Sequence, residues 1–108
     1  MQKAKYKEIF RLKEMLEKAQ IPFYFHDIPE HHGHQIVYTG KRGFNIACSV
    51  IQHDFSYGGT ADLLEISGLL TDAEKKRDAV LGWQTAEDVF SRIETHWTGL
   101  KDGDSKNE

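Results

Sequence analysis

The sequence predicts an α+β domain with the element order α-β-β-β-α-α. An N-terminal helix precedes a three-stranded antiparallel meander, and the C-terminal helices pack on one face of the sheet. Residues 44 to 50 alternate between apolar and small or polar side chains, which is the period of two of a half-buried strand. Amphipathic helical patterns at both ends of the chain provide apolar faces that can cover such a sheet. Strands joined by short connections pair with their neighbours, so a meander is expected.

Length and composition indicate one small globular domain. The 108 residues are enough for one core without metal or disulfide support, and we predict a domain over 1–100 with a polar, disordered tail over 101–108. The net charge of −3 argues against a nucleic-acid partner, because such binding depends on clustered Lys and Arg. No apolar run approaches the ~18 residues that span a bilayer, and no signal peptide is evident, so no membrane contact and a cytoplasmic location are expected.

The first half of the chain divides into one helix and three strands. Apolar residues recur at helical spacing over 2–19, and Pro22 ends this helix. The apolar residues at helical spacing are Tyr6, Ile9, Leu12, Leu16 and Ala19, and Phe10 and Met15 widen the apolar face of the helix. Residues 23–26 form the first predicted strand. A hairpin is predicted over 34–51, with its loop at 39–43 and with Phe44, Ile46, Cys48 and Val50 on the apolar side.

The second half is predicted to be helical. Thr60 is expected to cap a short helix over 61–67, and Thr71 with Glu74 forms a capping-box pattern for another turn or two. Residues 79–83 are expected to form a buried connector. The last helix begins after Thr85, and its apolar residues follow helical spacing: Ala86, Val89, Phe90, Ile93 and Trp97.

A histidine cluster is the first candidate for chemistry. His31, His32 and His34 lie near Asp27 and Glu30, and imidazole with carboxylate is a ligand set for zinc, nickel or iron. Adjacent imidazoles in a loop do not easily face one ion, so a solvated polar loop is favoured. No metal or cofactor is therefore predicted, although the question of metal binding by these histidines stays open. Cys48, the single cysteine, is expected in the core.

The far face of the predicted sheet is the second candidate. It is neither strongly charged nor strongly apolar, and its residues are Tyr24, His26, Gln35, Val37, Asn45, Ala47, Ser49 and Ile51. Such a face can contact another protein or a second copy of the chain. It can equally face water, as one side of many antiparallel sheets does.

The order of helix, three strands and helix is similar to that of double-stranded RNA-binding domains. Such domains contact phosphates through lysines at the start of the second helix, where this chain has the acidic segment 85–88. The resemblance is therefore one of topology, which does not imply function.

A second resemblance involves four segments of the chain, 49–53, 57–59, 62–66 and 82–93. With the opening helix, they resemble small hypothetical proteins of phages and prophages of Gram-positive bacteria, over residues 5–97. The resemblance implies an intracellular accessory protein and transfers no catalytic residue.

The leading hypothesis is a non-enzymatic protein-interaction module that binds either a protein partner or a second copy of itself as a homodimer. The alternative is a small enzyme or ligand-binding protein with a pocket between the 53–59 loop and Trp83. Polar and aromatic loop residues near a sheet end commonly line a site, which makes His53, Tyr57 and Trp83 candidates beside Tyr24 and His26.

Overall fold

A computed structural model describes residues 6–41 and 45–99, and it shows an α+β fold with a five-stranded antiparallel sheet. The strands follow one another across the sheet in chain order, from β1 at one edge to β5 at the other. The predicted three-stranded meander is therefore wrong in strand number, although the antiparallel arrangement is confirmed. The elements are α1 (Glu8–Lys18), β1 (Tyr24–Ile28), β2 (Gly33–Tyr38), β3 (Cys48–Gln52), β4 (Leu64–Ser67), α2 (Asp72–Arg77), β5 (Val80–Gln84) and α3 (Ala86–Gly99).

The core lies between one face of the sheet and the helices α1 and α3. Register places one apolar row across all five strands, from Phe25 through Ile36, Val50 and Ile66 to Leu81. Fully buried residues of both helices complete the core: Ile9, Leu12 and Leu16 from α1, and Ala86, Val89 and Ile93 from α3. The amphipathic patterns at both ends of the chain therefore predicted most of the core-facing residues correctly. Two predicted positions are wrong: Ala19 is exposed at the end of α1, and Phe10 is 37% exposed. The first helix also begins at Glu8, later than predicted.

The predicted hairpin is confirmed as the pair β2 and β3, with Tyr38 opposite Cys48. Cys48 and Val50 are fully buried, as expected. Ile46 is not on the buried face: it precedes β3 and is 62% exposed, because regular pairing ends at Cys48 and the chain leaves the sheet there. Phe44 and part of the predicted loop lie outside the described residues.

The helix predicted over 61–67 is instead a 3₁₀ turn, Gly59–Ala61, followed by strand β4. Leu64 and Ile66 are both fully buried, while Glu65 and Ser67 lie on the opposite face of the sheet. Ile66 pairs with Val50, so hydrogen bonding to β3 stabilises the extended conformation. Four residues are too few for their periodicity to distinguish a helix from a strand.

The connector predicted over 79–83 is strand β5, which pairs with β4. Leu64 lies opposite Gln84, but Ile66 lies opposite Leu81, so β5 carries one more residue than β4 between these pairs. This β-bulge contains Gly82 and Trp83. It breaks the alternation that would have identified the strand in the sequence.

The helix ends are held by a mixture of local and long-range hydrogen bonds. Thr71 and Glu74 form the predicted capping box of α2, and the Thr85 hydroxyl accepts a hydrogen bond from the Asp88 N–H at 3.1 Å. The N-terminus of α1 depends on distant residues. Asp62 Oδ1 accepts from the backbone N–H of Lys7 and Glu8 at 2.9 and 3.1 Å, and from the Gln52 amide at 2.7 Å.

Candidate binding surface

The second face of the sheet, called here the open face, is not covered by any of the described helices. Two rows of residues define it. The first row crosses every strand through Tyr24, Val37, Ser49, Ser67 and Val80. The second row consists of His26, Gln35, Ile51 and Glu65, and it ends at the bulge in β5.

The open face carries little charge. Of the nine residues that define it, Glu65 is the single carboxylate and none is Lys or Arg, whereas charged residues form 29% of the whole chain. Interface centres are likewise depleted in Lys, Glu and Asp. The Gln35 amide donates one hydrogen bond to the Ser49 hydroxyl at 2.9 Å, and one Glu65 oxygen accepts from the Tyr57 N–H at 2.8 Å. These contacts fix the side chains in place within the protomer.

Trp83 and Tyr57 are exposed aromatic residues whose backbones meet at the β5 edge of this face. Trp83 is 61% exposed and Tyr57 is 54% exposed, and the Trp83 N–H donates to the Tyr57 carbonyl at 3.2 Å. Trp83 has φ of 60°, in the left-handed region that bulky residues rarely adopt. Strained positions of this kind cluster at binding and catalytic sites. An exposed tryptophan in a strained conformation adds little to the core, which makes Trp83 a candidate contact residue.

The space proposed as a pocket between the 53–59 loop and Trp83 is occupied by a backbone contact. Gly58 lies so near that a Cβ atom on it would be 2.9 Å from Trp83 Cα. A cleft with a volume of about 700 Å³ lies elsewhere, between α3 and the 69–71 segment. The loop and Trp83 are therefore brought together as one surface.

Two polar residues that line this cleft, Arg92 and His96, are held by residues of neighbouring elements. Arg92 donates to both Glu74 oxygens at 2.8 and 2.7 Å and to the Leu69 carbonyl at 2.9 Å. The hydrogen bond from Arg92 lowers the pKa of Glu74 to about 2. Nδ1 of His96 lies 2.7 Å from the Tyr38 hydroxyl. These pairs tie α3 to α2 and to the sheet, which is a structural role.

His53, the remaining loop candidate, is half-buried and packs against His31, with ring centroids 5.1 Å apart. Its Nδ1 accepts a hydrogen bond from the Phe55 N–H at 3.0 Å. Burial, and then the nearby His31 ring, lower the pKa of His53 below its usual value. The neutral ring therefore dominates at pH 7, and its role is to hold the shape of the loop.

The other histidines of the predicted cluster separate toward different partners. His32 Nδ1 lies 2.8 Å from Asp54, and His34 Nδ1 lies 2.9 Å from Asp27. Over 6–41 and 45–99, no group of three or more His, Cys, Asp or Glu is arranged to hold a metal ion. The sequence proximity of His31, His32 and His34 thus does not become a shared site in the described fold.

The structure places the five candidate residues in three places. Tyr24 and His26 lie on the open face at the β1 edge, Tyr57 and Trp83 lie at the β5 edge, and His53 lies in the loop after β3. Sequence reasoning missed the part of the face that β4 and β5 provide, namely Glu65, Ser67 and Val80. The alternation of Leu64 to Ser67 is the available signal, but four residues are too few for it to exclude a helix.

Similarity to known proteins does not indicate a function for this chain. No family model, curated protein or solved structure matches this chain. Within the described parts of the chain, no helix is long and apolar enough to cross a membrane.

Proposed function

We propose that this chain is a small intracellular accessory protein that acts as a non-enzymatic protein-interaction module through its open face. The exposed, strained Trp83 beside Tyr57 is the observation that carries the proposal. Trp and Tyr are enriched among residues that dominate binding energy at protein interfaces. An aromatic anchor at the edge of a weakly charged sheet face has the composition that such interfaces share.

The second aromatic position on the face supports the same role. Tyr24 is 58% exposed on β1, at the opposite edge from Trp83. Between the two edges, the first row consists of small hydroxyl and aliphatic side chains, which allow the close approach of another backbone. A partner that spans the sheet would contact both aromatic edges at once.

The alternative function, an enzyme or ligand-binding protein with a pocket beside Trp83, has less support. The backbone contact of Gly58 with Trp83 fills the position of that pocket. The relationship to phage and prophage proteins remains a prediction, and it agrees with an accessory role.

Affinity capture from the native cells tests the proposal when matched baits are compared. The baits are the full-length wild-type chain, the Trp83→Gly variant and a Thr98→Ala control at an exposed position of α3. We expect the wild-type and Thr98→Ala baits to retain the same protein, either a different one or the untagged chain itself. The Trp83→Gly bait should retain at least about tenfold less of it. If Trp83→Gly folds and no bound protein distinguishes it from wild type, the proposal is wrong.

A further inference from the structure

The strand register specifies how two open faces can meet. Two copies can pack with their open faces together, related by a two-fold axis that is parallel to the strands and passes between the two β3 strands. In this arrangement, β1 of one copy lies over β5 of the other. Each row then meets the same row in reverse order. We propose that the partner of the open face is a second copy of this chain in this arrangement, an inference that rests on the proposed function.

The first row is complementary to itself in size under this symmetry. Tyr24 at one edge meets Val80 of the second copy, and Val37 meets the smaller Ser67. Ser49 meets its own equivalent at the axis, where two small side chains allow the sheets to approach closely. Larger side chains therefore face smaller ones along the row, as packed sheets require.

The second row is complementary in polarity. Gln35 on β2 meets the Glu65 carboxylate on β4 of the second copy, because these strands are equidistant from β3. The contact with Ser49 uses one of the two N–H donors of the Gln35 amide, so the other can serve this pair. Ile51 meets its own equivalent, which gives an apolar contact at the axis. His26 meets the bulge that contains Trp83, so both aromatic edges are covered.

The size of the face agrees with reversible association. Five strands at about 4.8 Å spacing, with five residues at about 3.4 Å each, give a face of roughly 24 by 17 Å. Because side chains project from this face, each copy buries on the order of 600 Å² of accessible surface. The total of about 1,200 Å² is at the lower end of the range for specific interfaces. We therefore expect a dissociation constant in the micromolar range.

Site-directed cross-linking with a short bis-maleimide distinguishes this register from others. In the full-length chain, Ser49→Cys should cross-link to itself, because the two equivalents meet at the axis. Val80→Cys alone should not, because its equivalents are separated by four strand spacings, or about 19 Å. An equimolar mixture of Tyr24→Cys and Val80→Cys should give the cross-linked pair. Native Cys48 serves as the background control, since it is fully buried and burial raises the pKa of its thiol to about 12.

Sedimentation velocity of the full-length chain, with circular dichroism to confirm folding, provides the second measurement. Ile51→Lys places two like charges at the axis and should weaken self-association at least about 100-fold, while Thr98→Lys on α3 should leave it unchanged. Self-cross-linking of Tyr24→Cys without the mixed product would overturn the proposed register. A wild-type chain that stays monomeric up to about 1 mM would overturn the second copy as partner. Face-dependent capture of a different protein would still support the proposed function in that case, so the two failures are distinguishable.

Discussion

Replacing Trp83 with glycine tests whether this residue serves binding or the stability of the fold. About 40% of the residue is buried, since 61% is exposed, which for a tryptophan of ~250 Å² amounts to ~100 Å². Losing that burial costs at most about 2.5 kcal/mol, and less after allowing for a compact unfolded state. Glycine adopts positive φ freely, so the substitution also removes about 1 to 2 kcal/mol of backbone strain. The two effects partly cancel, and we expect a net loss of no more than about 1.5 kcal/mol.

Urea unfolding followed by far-ultraviolet circular dichroism measures this difference without depending on tryptophan fluorescence. Ile93→Ala is a suitable comparison, because Ile93 is fully buried and its truncation should cost about 2 to 5 kcal/mol. A loss above about 3 kcal/mol for Trp83→Gly would refute the reasoning, since it would show that Trp83 supports the core. A small loss together with lost partner binding would separate the two roles.

Three further predictions concern the fold that supports the open face. Burial opposes ionisation of Asp62, but hydrogen bonds from Lys7, Glu8 and Gln52 outweigh it and hold its pKa below the usual value. The stabilisation is then complete above about pH 4 and is lost as pH falls through the lowered pKa. Asp62→Asn should lower the free energy of unfolding by about 1 to 2 kcal/mol at pH 7, measured by urea unfolding, and this difference from wild type should shrink below about pH 4. Asp72→Asn, at an exposed position, is the control and should change the free energy of unfolding by less than about 0.5 kcal/mol. Phe90, which is partly buried against the core, should not tolerate aspartate: losing its aromatic contacts costs up to about 3 to 5 kcal/mol and a carboxylate placed against the core adds to this, so an unchanged melting temperature would contradict its position. The Cys48 thiol, whose pKa burial raises to about 12, should react with iodoacetamide only after unfolding, and rapid labelling of the native protein would place it at the surface.

A substitution of Asp62 should affect the stability of the fold but not the proposed interface. Asp62 anchors α1 to the loop between β3 and β4, on the core side of the sheet. A variant that weakens this contact should destabilise the protomer without changing the residues of the open face. Self-association measured well below the unfolding transition should therefore stay close to wild type, which separates fold stability from binding.

The sequence alone determined the elements whose signals are local. The two terminal helices repeat their apolar residues over several turns, and the capping box of Thr71 and Glu74 needs only a separation of three residues. The β2 and β3 hairpin has clear alternation from Cys48 onward, although its connection covers 39–47 and is longer than the predicted loop. The open face was likewise predicted as far as β1, β2 and β3 extend, which includes Tyr24 and His26, whereas Ala47, predicted on this face, packs against the core.

The tertiary structure decided what short or irregular segments become. β4 is only four residues long, and its pairing with β3 provides the hydrogen bonds that favour a strand over a helix. The bulge in β5 exposes Trp83, because an extra residue reverses the direction that simple alternation assigns. Asp62 caps α1 across 55 residues of chain, a separation at which sequence periodicity carries no information. Local patterns therefore determined the helices and the hairpin, while long-range pairing completed the open face and gave it an aromatic edge.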